Sequence, residues 1–325
     1  MKLEDLASLL RTGDSYILTS HESPDGDGLG AMYALCRALA KLGKKSVAVL
    51  SEPLAPKYRF LDEVGVFRTA EAIRTEGLDP ASSLLLILDT NDAHYAGSVA
   101  DTFLDIVKGH VLIDHHENRG IDASGHYLDS EASSTCEITF GLIRLLGIPL
   151  DRDMAVALFT GIVYDTGSFG YPKTGENTFA CALELVRAGV KPYSVHNHLY
   201  ESSSVQSLLL RKLVLSTLEL HEDNRIAVQF MRAAHLDDSG AVYEDSEDLI
   251  NVPLRSETVQ VSVFFKENKS GILRCSLRSK GGVNVAHIAQ SFGGGGHRTA
   301  AGFKCSLPLE QARASVLDKL KDALS

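Results

Sequence analysis

Short apolar runs alternate with amphipathic stretches along the first half of the chain. The runs end at Thr19, Leu50, Leu88 and Ile113, and helical patterns lie between several of them. Unbroken apolar runs of this length are typical of strands buried on both faces, and intervening helices connect such strands in parallel. We therefore predict a parallel sheet with helices on both faces.

The pattern changes further along the chain. Residues 134–188 look mainly helical, and Ser134 followed by Glu137 predicts a capping box at one helix start. From about residue 213, partly alternating apolar segments predict strands, with helices after them. The predicted strands are 226–230, 259–265 and 272–277, and the predicted helices are 284–290 and 309–323.

Length and composition allow two separate cores. The chain has 325 residues, of which 44% are apolar. The pattern divides it into an N-terminal α/β domain at 1–190, a helical linker at 191–212 and a smaller C-terminal α+β domain at 213–325.

Charge and cysteine usage narrow the function classes. The net charge of −10 argues against binding of long nucleic acid, although it allows a small basic pocket for a nucleotide. The five cysteines form no CxxC pair, as expected of reduced thiols. The N-terminus lacks a signal-peptide pattern, and no apolar run is long enough to span a membrane. We therefore expect a cytoplasmic protein that does not bind membranes.

The first candidate site follows the strand that ends at Thr19. His21, Asp25 and Asp27 lie within seven residues of one another, and the pattern from Gly26 onward predicts a helix. They therefore occupy a strand-to-helix loop, where open α/β sheets place their sites. Imidazole and carboxylate groups together are typical ligands of divalent metals.

Further acids and imidazoles follow other apolar stretches: Asp89, the sequence Asp114-His115-His116, and Asp165. The carboxyl ends of parallel strands share one edge, so Asp89 and His115 are expected near the first loop, and Asp165 must arrive from its own segment. One Asp after a strand is ordinary turn chemistry. A cluster of acids would repel itself, however, and a pair of divalent cations resolves that conflict.

The same loop also fits a nucleotide-binding pattern. Gly26 to Ala31 reads as GxGxxA, and Glu52 lies about where a ribose-binding acid would stand. Asp25 and Asp27 would then face a pyrophosphate, which requires bare N–H groups and a helix dipole. This alternative is therefore disfavoured.

A second candidate site lies in the C-terminal domain. Four glycines, Gly293 to Gly296, precede His297 and can expose successive N–H groups to an anion. Arg278 and Ser279 end a predicted strand nearby, and an arginine can contact phosphate with two hydrogen bonds. A flexible turn is the ordinary alternative for such a glycine run.

Taken together, these motifs resemble the DHH phosphoesterases that carry a DHHA1 domain. The family name is written here as Asp114-His115-His116, and the first, second and fourth motifs match His21 to Asp27, Asp89, and Tyr164 to Phe169. The DHHA1 signature matches Ser276 to Lys280 and Gly293 to Phe303. One departure is that a basic residue, common in the family near Tyr95, is absent here.

The resemblance implies a ligand set and a mechanism. One metal would be held by His21, Asp25 and Asp89, and the other by Asp27, Asp89, His115 and Asp165. Mn²⁺ suits these ligands, Mg²⁺ less so. The pair would generate hydroxide to attack phosphorus, with Asp89 as a bridging, catalytically essential ligand. His116 would contact the scissile phosphate or protonate the leaving group.

The same resemblance implies a supporting role for Asp114 and a set of substrate contacts. Asp114 would orient a neighbouring imidazole, or else serve only as a strand-end cap. The active site would lie in the cleft between the domains. A terminal phosphate of the substrate would be gripped by Arg278, Ser279, Gly294, Gly295, Gly296 and His297.

Within the family the chain is most similar to the nano-RNase and pAp phosphatase group. Expected substrates are therefore short RNA or DNA oligonucleotides and nucleotide phosphates, cut to 5′-mononucleotides, and a homodimer is expected. A cyclic-di-AMP phosphodiesterase and a non-enzymatic nucleotide sensor are the alternatives. Manganese-dependent pyrophosphatases rank low because their second domain lacks the GGGGH loop.

Overall fold

The chain forms two compact units in the computed structural model, which describes residues 1–71, 73, 77–116, 125–268, 270–296 and 298–324. The units are Met1–Ser202 and Ser203–Ser325. The division falls between Ser202 and Ser203, inside the range 191–212 that was predicted as a linker.

The first unit is built on a parallel sheet. Its order among the described residues is β3-β2-β1-β4-β5-β6, and every neighbouring pair is parallel. The strands are β1 (Ser15–Thr19), β2 (Lys45–Leu50), β3 (Phe67–Thr69), β4 (Leu84–Leu88), β5 (Gly109–Asp114) and β6 (Tyr127–Leu128).

Helices cover this sheet on both sides. They are α1 (Leu3–Thr12), α2 (Gly26–Lys41), α3 (Ser98–Phe103), α4 (Thr135–Leu146), α5 (Arg152–Asp165), α6 (Glu176–Arg187) and α7 (Pro192–His196), followed by a π-helix at Asn197–Glu201. Short 3₁₀ helices lie at Pro56–Leu61, Pro80–Ser82 and Ala93–Ala96.

Burial on both faces explains the unbroken apolar runs. Leu18 and Leu86 pack into one cluster with α2, α4 and α5, whereas Ile17 and Ile87 pack into another with α3. Successive apolar residues of these central strands therefore face two different cores. The predicted parallel fold is confirmed. Strands β3 and β6 were not predicted because runs of three and two residues carry too little periodicity.

The second unit is an α+β domain with a mixed sheet. Its order among the described residues is β11-β12-β10-β9-β8-β7, in which β8 and β9 are parallel and the other pairs antiparallel. The strands are β7 (Glu219–His221), β8 (Ile226–Met231), β9 (Val261–Glu267), β10 (Leu273–Ser279), β11 (Gly295–Gly296) and β12 (Ala300–Lys304).

Helices α10 (Val285–Gln290) and α11 (Leu309–Leu324) cover one face of this sheet, where Val263 and Leu277 join Val316 in one core. The other helices are α8 (Val205–Leu215), α9 (Ala233–Ser239) and the 3₁₀ helices Tyr243–Asn251 and Pro253–Arg255. In the described part of the chain, no helix combines the length and apolar character needed to cross a bilayer.

Candidate metal centre

The loop between β1 and α2 places two carboxylates by helix capping. Asp25 is the N-cap of α2, and its Oδ1 accepts hydrogen bonds from the N–H groups of Asp27 at 2.9 Å and Gly28 at 3.4 Å. Side chains of this type favour the N-cap because they satisfy free N–H groups. The cap therefore fixes Asp25 at the carboxyl edge of the sheet.

Asp27 is fixed by a different helix. Its side chain is fully buried, and it accepts hydrogen bonds from the N–H groups of Thr135 at 2.6 Å and Cys136 at 2.9 Å. These N–H groups begin α4, whose N-terminal dipole favours an anion. A contact over more than 100 residues of chain thus orients this carboxylate.

Asp89 follows β4 directly and adopts a left-handed backbone conformation, with φ of 62°. Its N–H donates to the carbonyl of Ile113 on β5 at 3.0 Å, and its Oδ1 accepts from the hydroxyl of Thr135 at 3.1 Å. Left-handed backbone is uncommon for residues other than glycine, and such residues cluster at functional sites. The turn aims the Asp89 carboxylate at the centre of the cluster.

His115 lies among three of these carboxylates. Its Nε2 is 3.0 Å from Oδ2 of Asp165, 3.6 Å from Oδ1 of Asp89 and 3.8 Å from Oδ2 of Asp27. Asp165 is the last residue of α5, so this helix, not a strand, brings it to the edge. The Nε2 of His21 lies 3.7 Å from the other oxygen of Asp89, Oδ2.

Two groups of three side chains have donor atoms close enough to share one metal ion each. The first is His21, Asp25 and Asp89, and the second is Asp27, His115 and Asp165. All six sequence-predicted ligands therefore converge, with Asp89 between the groups. A third such group contains Asp89, His115 and His116.

Burial and the closeness of the charged groups shift the pKa values in this cluster. Burial and the neighbouring Asp165 raise the pKa of Asp27 to about 6. Burial, together with Asp27 and Asp25, holds the pKa of Asp89 well above its usual range. Burial would lower the pKa of His115, but the Asp165 and Asp27 carboxylates outweigh it and raise the pKa to about 9. The charged forms of Asp27 and Asp89 are therefore disfavoured, whereas the acids around His115 favour its charged form.

The donor set fits divalent cations. Neither ring nitrogen of His115 makes a hydrogen bond of good geometry to the described residues, although both are buried. A buried polar atom without a partner is costly unless something else binds it. Carboxylate oxygens with imidazole nitrogen are ligands that suit manganese and related ions. The three carboxylates crowded around Nε2 of His115 and the unbonded Nδ1 of the same ring are consistent with bound cations.

Asp114 and His116 form a pair beside the cluster. Oδ1 of Asp114 lies 2.7 Å from Nδ1 of His116, and the same ring nitrogen is 4.0 Å from Oδ1 of Asp89. Asp114 ends β5 and is fully buried. The contact is one that an orienting role requires, and that role of Asp114, with a simple strand-end cap as its alternative, stays a prediction.

The residues predicted to bind substrate lie at one end of the second sheet. Arg278 pairs with Ala300 across β10 and β12. The Ser279 hydroxyl donates to the carbonyl of Val283 at 2.7 Å, so it stabilises the turn after β10. Their substrate contacts stay predictions.

The glycine run has a structural role that the sequence did not indicate. Gly295 and Gly296 form an edge strand on β12, and a Cβ at Gly294 would lie 2.2 Å from the carbonyl oxygen of Gly302. A Cβ at Gly295 would meet nothing within 4 Å. Close packing therefore requires glycine at 294, while 295 is open to a ligand. His297 lies outside the described residues.

Sequence reasoning missed three contributors to the centre. Thr135 and Cys136 hold Asp27, and the ammonium group of Lys173 donates to the carbonyl of His115 at 3.1 Å. The predicted capping box is one sequence signal for these N–H groups, because it marks the start of α4. Ser134 does cap this helix by accepting from the N–H of Glu137. The Glu137 carboxylate instead accepts from Ser133 and Thr178, so the box is only half formed.

Comparison with known proteins decides the family. The model of the DHH family, N-terminal domain, matches residues 15–162, and that of the DHHA1 domain matches residues 223–325. A bifunctional oligoribonuclease and PAP phosphatase NrnA from Thermus thermophilus is 31% identical over 100% of this chain and 95% of its own length. The chain belongs to the DHH family. The predicted family is thereby confirmed.

Two further relatives of this DHH protein differ in their names and in their length. The Bacillus subtilis bifunctional oligoribonuclease and PAP phosphatase NrnA is 27% identical over 89% of this chain and 88% of its own. The cyclic-di-AMP phosphodiesterase GdpP of Geobacillus thermodenitrificans is 28% identical over 93% of this chain, which corresponds to 46% of that protein.

Solved structures share the fold of this DHH protein. An exopolyphosphatase-related protein from Bacteroides fragilis superposes with a TM-score of 0.91 at 24% identity, covering 99% of this chain and 97% of that one. An exonuclease RecJ bound to manganese gives a TM-score of 0.54 at 18% identity, covering 97% and 93%. At these identities the likeness establishes the fold alone.

Proposed function

We propose that this DHH protein is a metal-dependent phosphoesterase that hydrolyses short oligonucleotides to 5′-mononucleotides and removes the 3′-phosphate of pAp. The observation that carries the proposal is the pair of three-residue ligand groups, with Asp89 of the first group 3.6 Å from Nε2 of His115 in the second. The substrate class is supported by similarity along the whole chain to the Thermus thermophilus oligoribonuclease and PAP phosphatase.

Two Mn²⁺ ions per chain are the proposed cofactors, although Mg²⁺ or another divalent ion could replace them. His21, Asp25 and Asp89 would hold one ion, and Asp27, His115 and Asp165 the other, with Asp89 contributing to both. Bound cations of this kind activate water near neutral pH and neutralise charge on phosphoryl oxygens. The N–H groups of α4 keep Asp27 in place for this task.

His116 is the proposed general acid. Nδ1 is engaged by the Asp114 carboxylate at 2.7 Å, and the transferable proton would be carried on the other ring nitrogen, Nε2. Giving that proton to the leaving ribose oxygen avoids expulsion of an alkoxide. The Asp114 contact also argues against a direct ligand role for Nδ1, even though His116 belongs to the third side-chain group.

Arg278 and the open Gly295 position are proposed to bind a substrate phosphate. Replacing Arg278 with alanine should mainly raise KM, because a binding contact is lost while the ligand groups are untouched. Arg255→Ala removes an exposed arginine from the same unit and is the control. Loss of manganese from Arg278→Ala would contradict this assignment.

A hydrolysis panel with added manganese tests the function. It compares pAp, a ribodinucleotide, a five-nucleotide strand, a long single strand and cyclic-di-AMP. We expect the highest kcat/KM on the dinucleotide, with measurable release of phosphate from pAp. Equal turnover of long strand and dinucleotide would refute the preference for short substrates, and the absence of any hydrolysis would favour a nucleotide sensor.

A cyclic-dinucleotide phosphodiesterase is the second candidate. It is favoured by the 28% identity to the cyclic-di-AMP phosphodiesterase GdpP across most of this chain. Higher kcat/KM on cyclic-di-AMP than on the linear dinucleotide would establish it over the oligoribonuclease.

The proposal also includes a cytoplasmic homodimer that acts without long nucleic acid or membrane as a partner. All five cysteines are free thiols, which are usual in reducing compartments. Light scattering during gel filtration tests the dimer, and cell fractionation tests the location.

A further inference from the structure

An exposed aromatic side chain lies beside the metal centre and has no role in the function above. Tyr95 belongs to the short 3₁₀ helix Ala93–Ala96, which begins four residues after Asp89. Its side chain is 62% exposed. Among the described residues, no ring or cation contact involves Tyr95. The ring therefore contributes little to the core.

The main chain of Tyr95 is attached to the first ligand loop. Its carbonyl accepts a hydrogen bond of 2.7 Å from the N–H of Glu22, the residue directly after His21. Tyr95 thus follows one candidate ligand, Asp89, in sequence and is bonded next to another, His21, in space. The backbone of Tyr95 therefore lies close to the first ligand loop, and its exposed side chain projects from that position.

The turn that carries Tyr95 is held from several directions. Oδ1 of Asp92 accepts from the N–H of His94 at 2.9 Å, and the Ser51 hydroxyl donates to the carbonyl of Ala96 at 3.1 Å. The next residue packs just as closely. Gly97 has φ of 55°, and a Cβ there would lie 2.9 Å from the side chain of Glu22.

A rigid turn with an exposed ring is suited to stacking. A ligand that binds there does not have to order the backbone first, which lowers the cost of binding. Nucleobases stack on aromatic side chains, and this contact tolerates every base because each has a π-face. The tyrosine hydroxyl can donate a hydrogen bond to a phosphate, but the π-face of the ring suits a flat group, and in a nucleotide that group is the base.

We propose that Tyr95 stacks on a nucleobase of the substrate next to the scissile phosphate, and that it selects phosphoesters carrying a base over base-free phosphates. The inference rests on the proposed function. It makes Tyr95 a specificity-determining residue, distinct from the ligands and from Arg278.

The test uses the manganese-loaded protein and three variants. Tyr95→Ala removes the ring, Tyr95→Phe keeps it, and Tyr193→Ala removes another tyrosine of the first unit, 73% exposed on α7. Each is assayed on a ribodinucleotide and on two matched dinucleotides that lack one base or the other.

We expect Tyr95→Ala to lower kcat/KM on the complete dinucleotide by about 5- to 150-fold, mainly through KM. The defect should disappear on one of the two abasic substrates, because the missing base is the one that stacks. Tyr95→Phe and Tyr193→Ala should stay within about twofold of the parent protein. A second readout is quenching of a 2-aminopurine dinucleotide on binding, which Tyr95→Ala should abolish.

Two results would overturn the inference while the parent protein stays active. One is an unchanged kcat/KM in Tyr95→Ala, and the other is an equal defect on the complete and both abasic dinucleotides, which would indicate a structural role. Inactivity of the parent protein on every substrate would instead refute the proposed function. Manganese content and thermal melting of each variant establish that it is folded and loaded.

Discussion

The Oδ1 atom of Asp114 lies 2.7 Å from Nδ1 of His116, two residues further along the chain. Asp114 is the last residue of β5 and is fully buried, whereas about a third of the His116 side chain is exposed. A buried carboxylate at one nitrogen selects the tautomer of the ring and fixes its orientation. The pair therefore combines a fixed anchor with an accessible proton carrier.

Replacing Asp114 with asparagine should lower kcat about 10- to 100-fold, the range seen when such supporting contacts are removed. The amide can still contact Nδ1, but it can also donate to that nitrogen, so it no longer fixes which ring nitrogen carries the proton. The loss should be large on a dinucleotide and small on a nucleotide p-nitrophenyl ester, because that leaving group needs no proton. Steady-state kinetics on both substrates, with manganese content measured, checks this.

The double variant Asp114→Asn/His116→Gln provides the control for this prediction. If Asp114 acts through His116, Asp114→Asn adds little further loss to His116→Gln alone. Fully additive losses, or equal losses on both leaving groups, would show that Asp114 has a different role.

Replacing Asp89 with alanine should abolish activity and lower the manganese content. Its two carboxylate oxygens lie 3.6 Å from Nε2 of His115 and 3.7 Å from Nε2 of His21, so one substitution affects both ligand groups. Elemental analysis after dialysis and a hydrolysis assay measure the two effects. Asp101→Ala, an exposed acid on α3, is the matched control and should change neither. Full manganese content in Asp89→Ala would place the metals elsewhere.

The sequence predicted the parts of the centre that follow from sheet geometry. Asp89 and His115 each follow an apolar run, and parallel strands bring the ends of such runs to one edge. The position of Asp25 follows from the sequence in the same way, because a carboxylate just before a helical pattern is a typical N-cap. Each of these placements depends on local pattern plus one rule of topology.

The contacts that hold the ligands could not be predicted in this way. Thr135 and Cys136 meet Asp27 only because α4 packs beside α2, and no periodicity specifies which N–H groups will face a carboxylate. Gly294 was interpreted as part of an anion loop, although its nearest constraint is the backbone of Gly302 on a neighbouring strand. Packing between distant segments decides both cases.

The Thr135 hydroxyl should tune metal affinity. It donates to Oδ1 of Asp89 at 3.1 Å in a fully buried position. Thr135→Val keeps the shape and the backbone N–H but removes the donor, so manganese affinity should fall about 10-fold or more. Titration with manganese measures this. Thr135→Ser keeps a hydroxyl and should bind nearly as tightly as the parent. Equal manganese affinities in all three proteins would mean that the Thr135 hydroxyl has no effect on metal binding.

Lys266 should make the stability of the second unit depend on pH. It stands opposite Arg274 in the β9–β10 register, and Arg274 stands opposite Lys304 on β12, so three cations lie in one row. Like charges directly opposite each other are destabilising. Burial lowers the pKa of Lys266, and Arg274 and Arg278 add to this effect against the opposing charges of Glu247 and Glu244.

The sign of the effect follows from proton binding. Above its lowered pKa the folded protein has released the Lys266 proton, whereas the unfolded chain holds it up to a pKa of about 10.4. The unfolded state then binds more protons, so stability contributed by Lys266 rises with pH in that interval. The parent protein should therefore gain stability relative to Lys266→Met as the pH rises from 7 toward 10. Urea unfolding of both proteins at several pH values measures the difference, and Lys304→Met, at an exposed lysine of the same row, should show no such trend. A difference between parent and Lys266→Met that is constant, or that moves in the opposite direction, would mean that Lys266 is well solvated in the folded protein.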